Sequence, residues 1–251
     1  MESQGIRINK YLSAAGVCSR READRQIAEG NVAVDGRTAE PGTRVLPGQQ
    51  VLYCGRPVER EEEMILLAFH KPRGIVCTSE KREKDNVVDF IGYPKRIYPV
   101  GRLDKDSEGL LLMTNNGDIV NRIMRAGNVH EKEYVVTVNK PVTEAFLRGL
   151  AGGVPLADLG VTTRRCLVER VGKREFRIVL TQGLNRQIRR MCEYFGYRVE
   201  KLVRTRIMNI ELGSLESGTY RSVTGEEYRQ LLHLIKDSSN ETVIPKKGAK
   251  R

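Results

Sequence analysis

The sequence predicts an α+β fold in two parts: a small αβ module over residues 1–60, then a larger body over 61–238 with a largely antiparallel mixed sheet flanked by helices. Three observations predict it. From residue 64 onward, short strand patterns outnumber helical ones and often follow each other directly, which argues against an all-parallel sheet. The first sixty residues hold two helical patterns and a hairpin signal, enough for a separate unit. Between the parts lies "CGRPVEREEE" (54–63), polar, acid-rich and interrupted by Pro57, which reads as a linker. A length of 251 residues fits one medium domain plus a small one.

In the module, "IRINKYLSAAG" sets Ile8, Leu12 and Ala15 at helical spacing, and Gly16 can stop that helix. "SRREADRQIAEG" begins with Ser19 as N-cap and Glu22 three residues on, a capping-box pattern, and ends at Gly30. Ala23 and Ile27 form its buried stripe. "NVAVDGRTAE" is an alternating strand with an Asp-Gly hairpin signal. Lys10, Arg20, Arg21 and Arg25 are the candidate phosphate contacts of a compact RNA-binding unit. An ordinary solvated arginine face is the other reading, and charge alone leaves both open.

In the body, strands are expected over 64–69, 74–78, 96–100, 109–114, 132–138, 161–169, 174–181 and 198–211. The turn "VGKR" at 171–174 makes 161–181 a hairpin. Helices are expected over 118–125, 143–151, 185–195 and 224–236. Thr143 can cap the second, with Val142 and Leu147 as a hydrophobic staple, and Thr224 with Glu227 makes a capping box. The tail, 239–251, has four basic residues among its last six and reads as a disordered arm that attracts phosphate.

The chain carries 43 Lys and Arg against 32 Asp and Glu, a net charge of +11. An excess of this size suits a polyanion binder, because each neutralised phosphate releases a counterion; a basic surface that aids solubility is the plainer alternative. Five cysteines without a C-x-x-C pair argue against a disulfide framework and a structural zinc site. Only three histidines leave few metal ligands. No P-loop, G-x-G-x-x-G or His-Glu zinc motif is present, so nucleotide hydrolysis, dinucleotide redox chemistry and zinc deamination have no support. No apolar run approaches eighteen residues and the polar N-terminus is not a signal peptide, so a reducing cytoplasm and no membrane are expected.

"GRLDKDSEGLLLMTNNGD" (101–118) packs Asp104, Asp106 and Glu108 into five residues. A calcium loop would begin this way, but Leu112 and Asn115 stand where the ninth and twelfth ligands belong, and the flanks read as strands. The enzymatic reading asks only for one carboxylate at a strand end, as nucleophile or base. Asp104 is the candidate, with Asp106 and Glu108 as solvated loop acids or cap contacts. A plain turn aspartate is the alternative.

Further on, "TQGLNRQIRRMCEYFG" places Ile188, Met191, Cys192 and Phe195 on one helical stripe. Arg186 and Arg190 lie opposite. Arg189 lies at the stripe's edge, where a partly desolvated guanidinium needs an anion, and Asp104 can be that partner. "RVEKLVRTRI" then puts Arg198, Arg204 and Arg206 on one face by alternation. From Gly183 to Arg206 the net charge is +5, a basic strip for a polyanionic substrate. In "HEKEYVVTV", Tyr134 can stack on a nucleobase or be a core tyrosine.

The 101–118 stretch resembles the signature GRLD-x-D-[TS]-x-GLL-x-x-TN-x-G of pseudouridine synthases of the RsuA group. "HKPRGIVCT", "EKEYVV" and "GLNRQIRRMCEYFGY" look like that family's first, tyrosine and arginine motifs. The first fifty residues resemble an S4 RNA-binding domain, so the module is expected to be S4-like and the body a pseudouridine synthase catalytic domain. Leu184 and Ser107 look like those of the F-type branch that acts on 23S rRNA. The resemblance implies that Asp104 is the catalytic aspartate, Tyr134 the tyrosine that stacks on the target base, and Arg189 the arginine paired with the aspartate. Arg102 looks like the basic neighbour that holds the flipped nucleotide out of its helix. The implied reaction breaks N1–C1′ of a uridine, turns the base and bonds C5 to C1′, without cofactor or metal. The implied partners are 23S rRNA or a large-subunit precursor, with a tRNA as a second substrate, and the enzyme is expected to be a monomer. A non-catalytic S4-domain assembly factor is the rival reading.

Overall fold

The computed structural model describes residues 5–59, 63–80, 82–124 and 128–238. The expected basic arm at 239–251 and residues 60–62 of the expected linker lie outside them. Two compact units emerge. One holds the chain up to Ile65 together with Pro94–Ile97 and Asn115–Gly117, and the other holds the rest.

The first unit comprises β1 (Ile6–Arg7), α1 (Ile8–Ala14), α2 (Arg20–Ala28), β2 (Val32–Val34), β3 (Arg37–Thr38), β4 (Arg44–Val45), β5 (Val51–Tyr53) and β6 (Arg56–Pro57). Ile8, Leu12, Ala23, Ile27, Val32, Val45 and Val51 close its core. The Asp-Gly signal forms the β2–β3 turn, with Asp35 at φ 48° and Gly36 at φ 77°. Ser19 Oγ accepts from Glu22 N at 3.1 Å, while the Glu22 carboxylate accepts from Arg25 and Gln26. The linker reading fails at its start. Arg56–Pro57 pairs with Leu52–Tyr53, where an edge strand tolerates a proline that cannot donate.

The second unit comprises β7 (Leu66–Lys71), α3 (Val87–Ile91), β8 (Tyr98–Val100), β9 (Glu108–Thr114), α4 (Gly117–Met124), β10 (Lys132–Val138), α5 (Glu144–Gly152), β11 (Pro155–Leu156), β12 (Val161–Thr162), β13 (Leu167–Gly172), β14 (Glu175–Leu180), α6 (Gln187–Tyr194), β15 (Val199–Ile207), β16 (Ile210–Glu211), β17 (Tyr220–Ser222) and α7 (Gly225–Leu234). Its main sheet runs β13-β14-β10-β15-β9-β7-β17. Among the described residues, only β15 and β9 pair in parallel, so the sheet is mixed and largely antiparallel. One core cluster joins Val136, Phe176 and Ile178 of the sheet to Phe146 and Leu150 of α5 and Met191 of α6. A second joins Leu110 and Leu112 of β9 to Ile119 and Ile123 of α4 and Leu231 of α7. Each fully buried side chain of this size contributes roughly 1.5–3 kcal/mol. Thr143 caps α5, and the Thr224–Glu227 box caps α7 as expected.

Several expected elements differ. Segment 74–78 holds only a bridge from Val76 to Asn86. The strand expected over 161–169 splits, because Val161–Thr162 pairs back onto Pro155–Leu156 and the "VGKR" hairpin strand starts at Leu167. The long 198–211 strand breaks at Met208, whose φ of 53° turns the chain. α3 and β17 are too short to show a period.

One strand arrangement positions the site. Leu66–Lys71 of β7 pair with Gly109–Thr114, filling one edge of β9. The other edge is divided: Leu112–Thr114 pair with β8 and Glu108–Gly109 with β15. Loop 101–107 crosses where these two neighbours of β9 diverge. Gly109 is required there. Its φ is +108°, and a Cβ on it would lie 2.6 Å from Arg204 N.

Candidate active site

Loop 101–107 is held from several sides. Lys71, fully buried, donates from Nζ to Ser107 O and Pro72 O, both at 2.8 Å. Leu103 N donates to Cys77 Sγ at 3.3 Å, and Gly74 N to Lys105 O at 2.7 Å. Burial lowers the Lys71 ammonium pKa and raises that of the Cys77 thiol. These two supports belong to the "HKPRGIVCT" stretch, in which sequence pattern alone marks no individual residue.

From α6, Arg189 donates Nη2 to Asp106 O at 3.1 Å and to Ser107 Oγ at 3.2 Å. Its closest carboxylate contact is also with Asp106, at 3.2 Å from Nη2 to Oδ2, whereas Nε lies 4.0 Å from Asp104 Oδ2. Burial lowers the pKa of the Arg189 guanidinium, and Asp106 is the largest opposing influence. Asp106 is therefore not a bystander of the loop but the nearer partner of Arg189. Arg186 also differs from expectation. The helix starts at Gln187, leaving Arg186 as its cap in a left-handed conformation, φ 50°. The helical wheel does not govern it, and Nη1 lies 3.7 Å from Asp104 Oδ2 and 3.4 Å from Asp106 Oδ1.

A cavity of about 490 Å³ opens beside this loop, within the size range of small-ligand sites. Asp104, Tyr134, Arg189, Arg102, Arg186 and Arg204 all line it. Tyr134 comes from β10, where it pairs with Arg204 of β15. Loop, helix and two strands thus bring a carboxylate, a phenol ring and guanidiniums to one space.

The alternating basic strip is not what forms. Thr205 is an extra residue in β15: Arg204 pairs with Tyr134 and Arg206 with Glu133. Such a bulge reverses the face of everything beyond it. Arg204 turns into the protein, 2% exposed, with Nε donating to Leu110 O at 2.7 Å. Arg206 goes to the opposite face and bridges Glu131 and Glu133 at 3.0 and 3.3 Å. Arg190 also points elsewhere, paired with Asp158 and donating to Asn185 O. Neither Arg190 nor Arg206 lines the cavity. Arg198 is exposed. In the first unit, Arg20 and Arg21 are exposed, Lys10 is half-buried, and Arg25 is paired with Glu22 at 2.7 Å.

Residues 65–194 match the family of RNA pseudouridylate synthases, and residues 6–51 match the S4 domain. The chain is 54% identical to the dual-specificity RNA pseudouridine synthase RluF of Escherichia coli (strain K12), covering all of this chain and 86% of that one. It is 54% identical to the protein of the same name from Salmonella typhi, over 97% of this chain and 84% of that one. A solved structure described as a pseudouridylate synthase superposes with a TM-score of 0.67 at 27% identity, covering 90% of this chain and 99% of the other. The chain belongs to the RNA pseudouridine synthases with an S4 domain, enzymes of the RsuA group that isomerise uridine in RNA.

Proposed function

We propose that the substrate is 23S rRNA, free or in a large-subunit precursor, that a tRNA is a second substrate, and that Asp104 attacks or deprotonates the target nucleotide. The dual specificity in the name of the Escherichia coli relative supports two kinds of RNA substrate, and the resemblance of Leu184 and Ser107 to the F-type branch supports 23S rRNA as one of them. The observation that carries the second is the convergence of Asp104, Tyr134 and Arg189 on one cavity.

In this reading the target uridine leaves its stack, at a cost of a few kcal/mol, and its base lies against Tyr134. Exposed Arg102, Lys105 and Arg186 take the flanking phosphates. Asp104, flanked by Arg186 and Arg189, faces the sugar. Arg189 fixes the loop through Asp106 and Ser107, so the carboxylate is positioned before substrate arrives. Exposed Arg20 and Arg21 of the S4 domain contact further phosphates of the RNA. The enzyme works as a monomer in the cytoplasm; no helix among the described residues is long and apolar enough to cross a membrane. The experiment is pseudouridine mapping in rRNA and tRNA from cells with and without this protein. Sites lost in both RNA classes support the reading. Loss from neither class would exclude these substrates.

A further inference from the structure

Four charged side chains are buried among the described residues: Lys71, Lys132, Arg189 and Arg204. All are cations. Lys71 and Arg189 serve loop 101–107, as described. Lys132 does not, and Arg204 reaches that loop only through a long contact from Nη1 to Arg102 O at 3.5 Å. They line the cavity at 5% and 2% exposure, and neither is in an ion pair among the described residues. Lys132 Nζ donates to His130 O at 2.9 Å. Arg204 Nη2 is buried without a hydrogen-bond partner. A buried cation left uncompensated is costly, so two together point to an anion that arrives with the ligand.

Their placement says which part of the ligand. Lys132 and Tyr134 are two residues apart on β10 and share a face, and Arg204 pairs directly with Tyr134. In a sheet these separations are about 7 Å along the strand and about 5 Å across it. A base lying against the Tyr134 ring would have both cations at its edges. The exposed cations Arg102, Lys105 and Arg186 stand at the rim, where a phosphodiester with its two sugars can reach. The buried pair lines the same cavity at 5% and 2% exposure, away from that rim.

We propose that Lys132 and Arg204 form a cationic floor that receives the uracil as an anion when its bond to the sugar breaks. The inference rests on the reading that the target base occupies this cavity. The N1–C1′ bond breaks with its electron pair on the base, and N1, O2 and O4 share the charge. Donors on the floor stabilise that charge as it develops, as an oxyanion hole does. The Asp104 carboxylate meets the electron-deficient sugar, by bonding to C1′ or by taking a C2′ proton that it later returns. C5 of the turned base then supplies the pair for the C5–C1′ bond. The proton lost from C5 is balanced by one gained at N1, so product and substrate are isomers.

The test uses the full-length enzyme in excess over rRNA isolated from cells lacking it, with RNA affinity and single-turnover pseudouridine formation measured separately. Lys132→Met is expected to slow the single turnover by about 100-fold, with Kd within twofold of wild type. Lys132→Arg, which keeps the charge, is expected to recover at least a tenth of the rate. Lys132→Gln, which keeps a donor without charge, is expected to behave like Lys132→Met and replaces it if that variant does not fold. RNA carrying 5-fluorouridine supplies the electronic readout. Its base is the better anion, so the Lys132→Met deficit in loss of intact 5-fluorouridine is expected to shrink at least tenfold. A rate within threefold of wild type for the uncharged variants, an equal deficit for both bases, or a weakened Kd with unchanged rate (a phosphate contact instead) would each overturn the proposal. Asp104→Asn is run in parallel. If it abolishes turnover while the Lys132 variants do not slow it, the cavity assignment stands and the cationic floor alone fails.

Discussion

Arg189 is closer to Asp106 than to Asp104: 3.2 Å from Nη2 against 4.0 Å from Nε. The nearer acid is the loop's anchor, and the farther one is left facing the cavity, with its side chain 32% exposed. Asp106→Asn is therefore expected to loosen the loop rather than remove the reacting group. Asp106 is 41% exposed, so solvent screening limits the loss of stability to about 1 kcal/mol. Turnover is expected to fall roughly 10- to 100-fold, because a small displacement of a reacting group is expensive. Thermal melting and single-turnover rates of Asp106→Asn check both numbers. A variant with wild-type rate would show that the anchor is dispensable.

Lys132 makes stability depend on pH. Burial first, and then the Arg204 charge, pushes its pKa from the ordinary 10.5 down to about 8. Between those values the unfolded chain holds a proton that the folded chain has released, so this group makes stability rise as pH rises from about 8 to about 10.5. Below pH 8 both states are protonated, and the folded state bears the full cost of the buried charge, on the order of 3 kcal/mol. Lys132→Met is thus expected to melt at a higher temperature than wild type at pH 7, with the difference shrinking towards pH 10. Melting curves across that range check it. A lower melting temperature at pH 7 would contradict the sign.

The bulge at Thr205 separates two arginines that alternation had put together. Arg206 is held by Glu131 and Glu133 on the face away from the cavity, so Arg206→Gln is expected to leave RNA affinity within twofold and its salt dependence unchanged. Arg21→Gln, on the exposed side of α2, is expected to weaken binding and reduce the slope of log K against log salt by about 1. Binding titrations at several salt concentrations compare them directly.

These cases show what the sequence made legible. Longer elements with a clear period or capping signal, such as α5, α7, β10 and β14, could be placed within a few residues. The convergence of Asp104, Tyr134 and Arg189 was also expected, because the motifs that carry them resemble those of a family whose site joins these three; by the residues alone Tyr134 could equally be a core tyrosine. Bulges leave no mark in alternation, so Arg204 and Arg206 were assigned to one face. A helix that starts two residues late moved Arg186 off its expected side. Lys71 went unassigned because nothing in composition distinguishes a buried lysine from the many that face solvent, whereas alternation puts Lys132 on one face with Tyr134, Val136 and Val138 but gives it no role.

The most direct measurement is the single-turnover yield of pseudouridine by Asp104→Asn on rRNA from cells lacking the enzyme, with melting temperature and RNA affinity recorded on the same preparation. The expected result is no detectable product over the time in which wild type converts its site completely, with folding and binding intact. Product formation at a rate near wild type by a folded, RNA-bound Asp104→Asn enzyme would contradict the assignment of Asp104 as the reacting carboxylate.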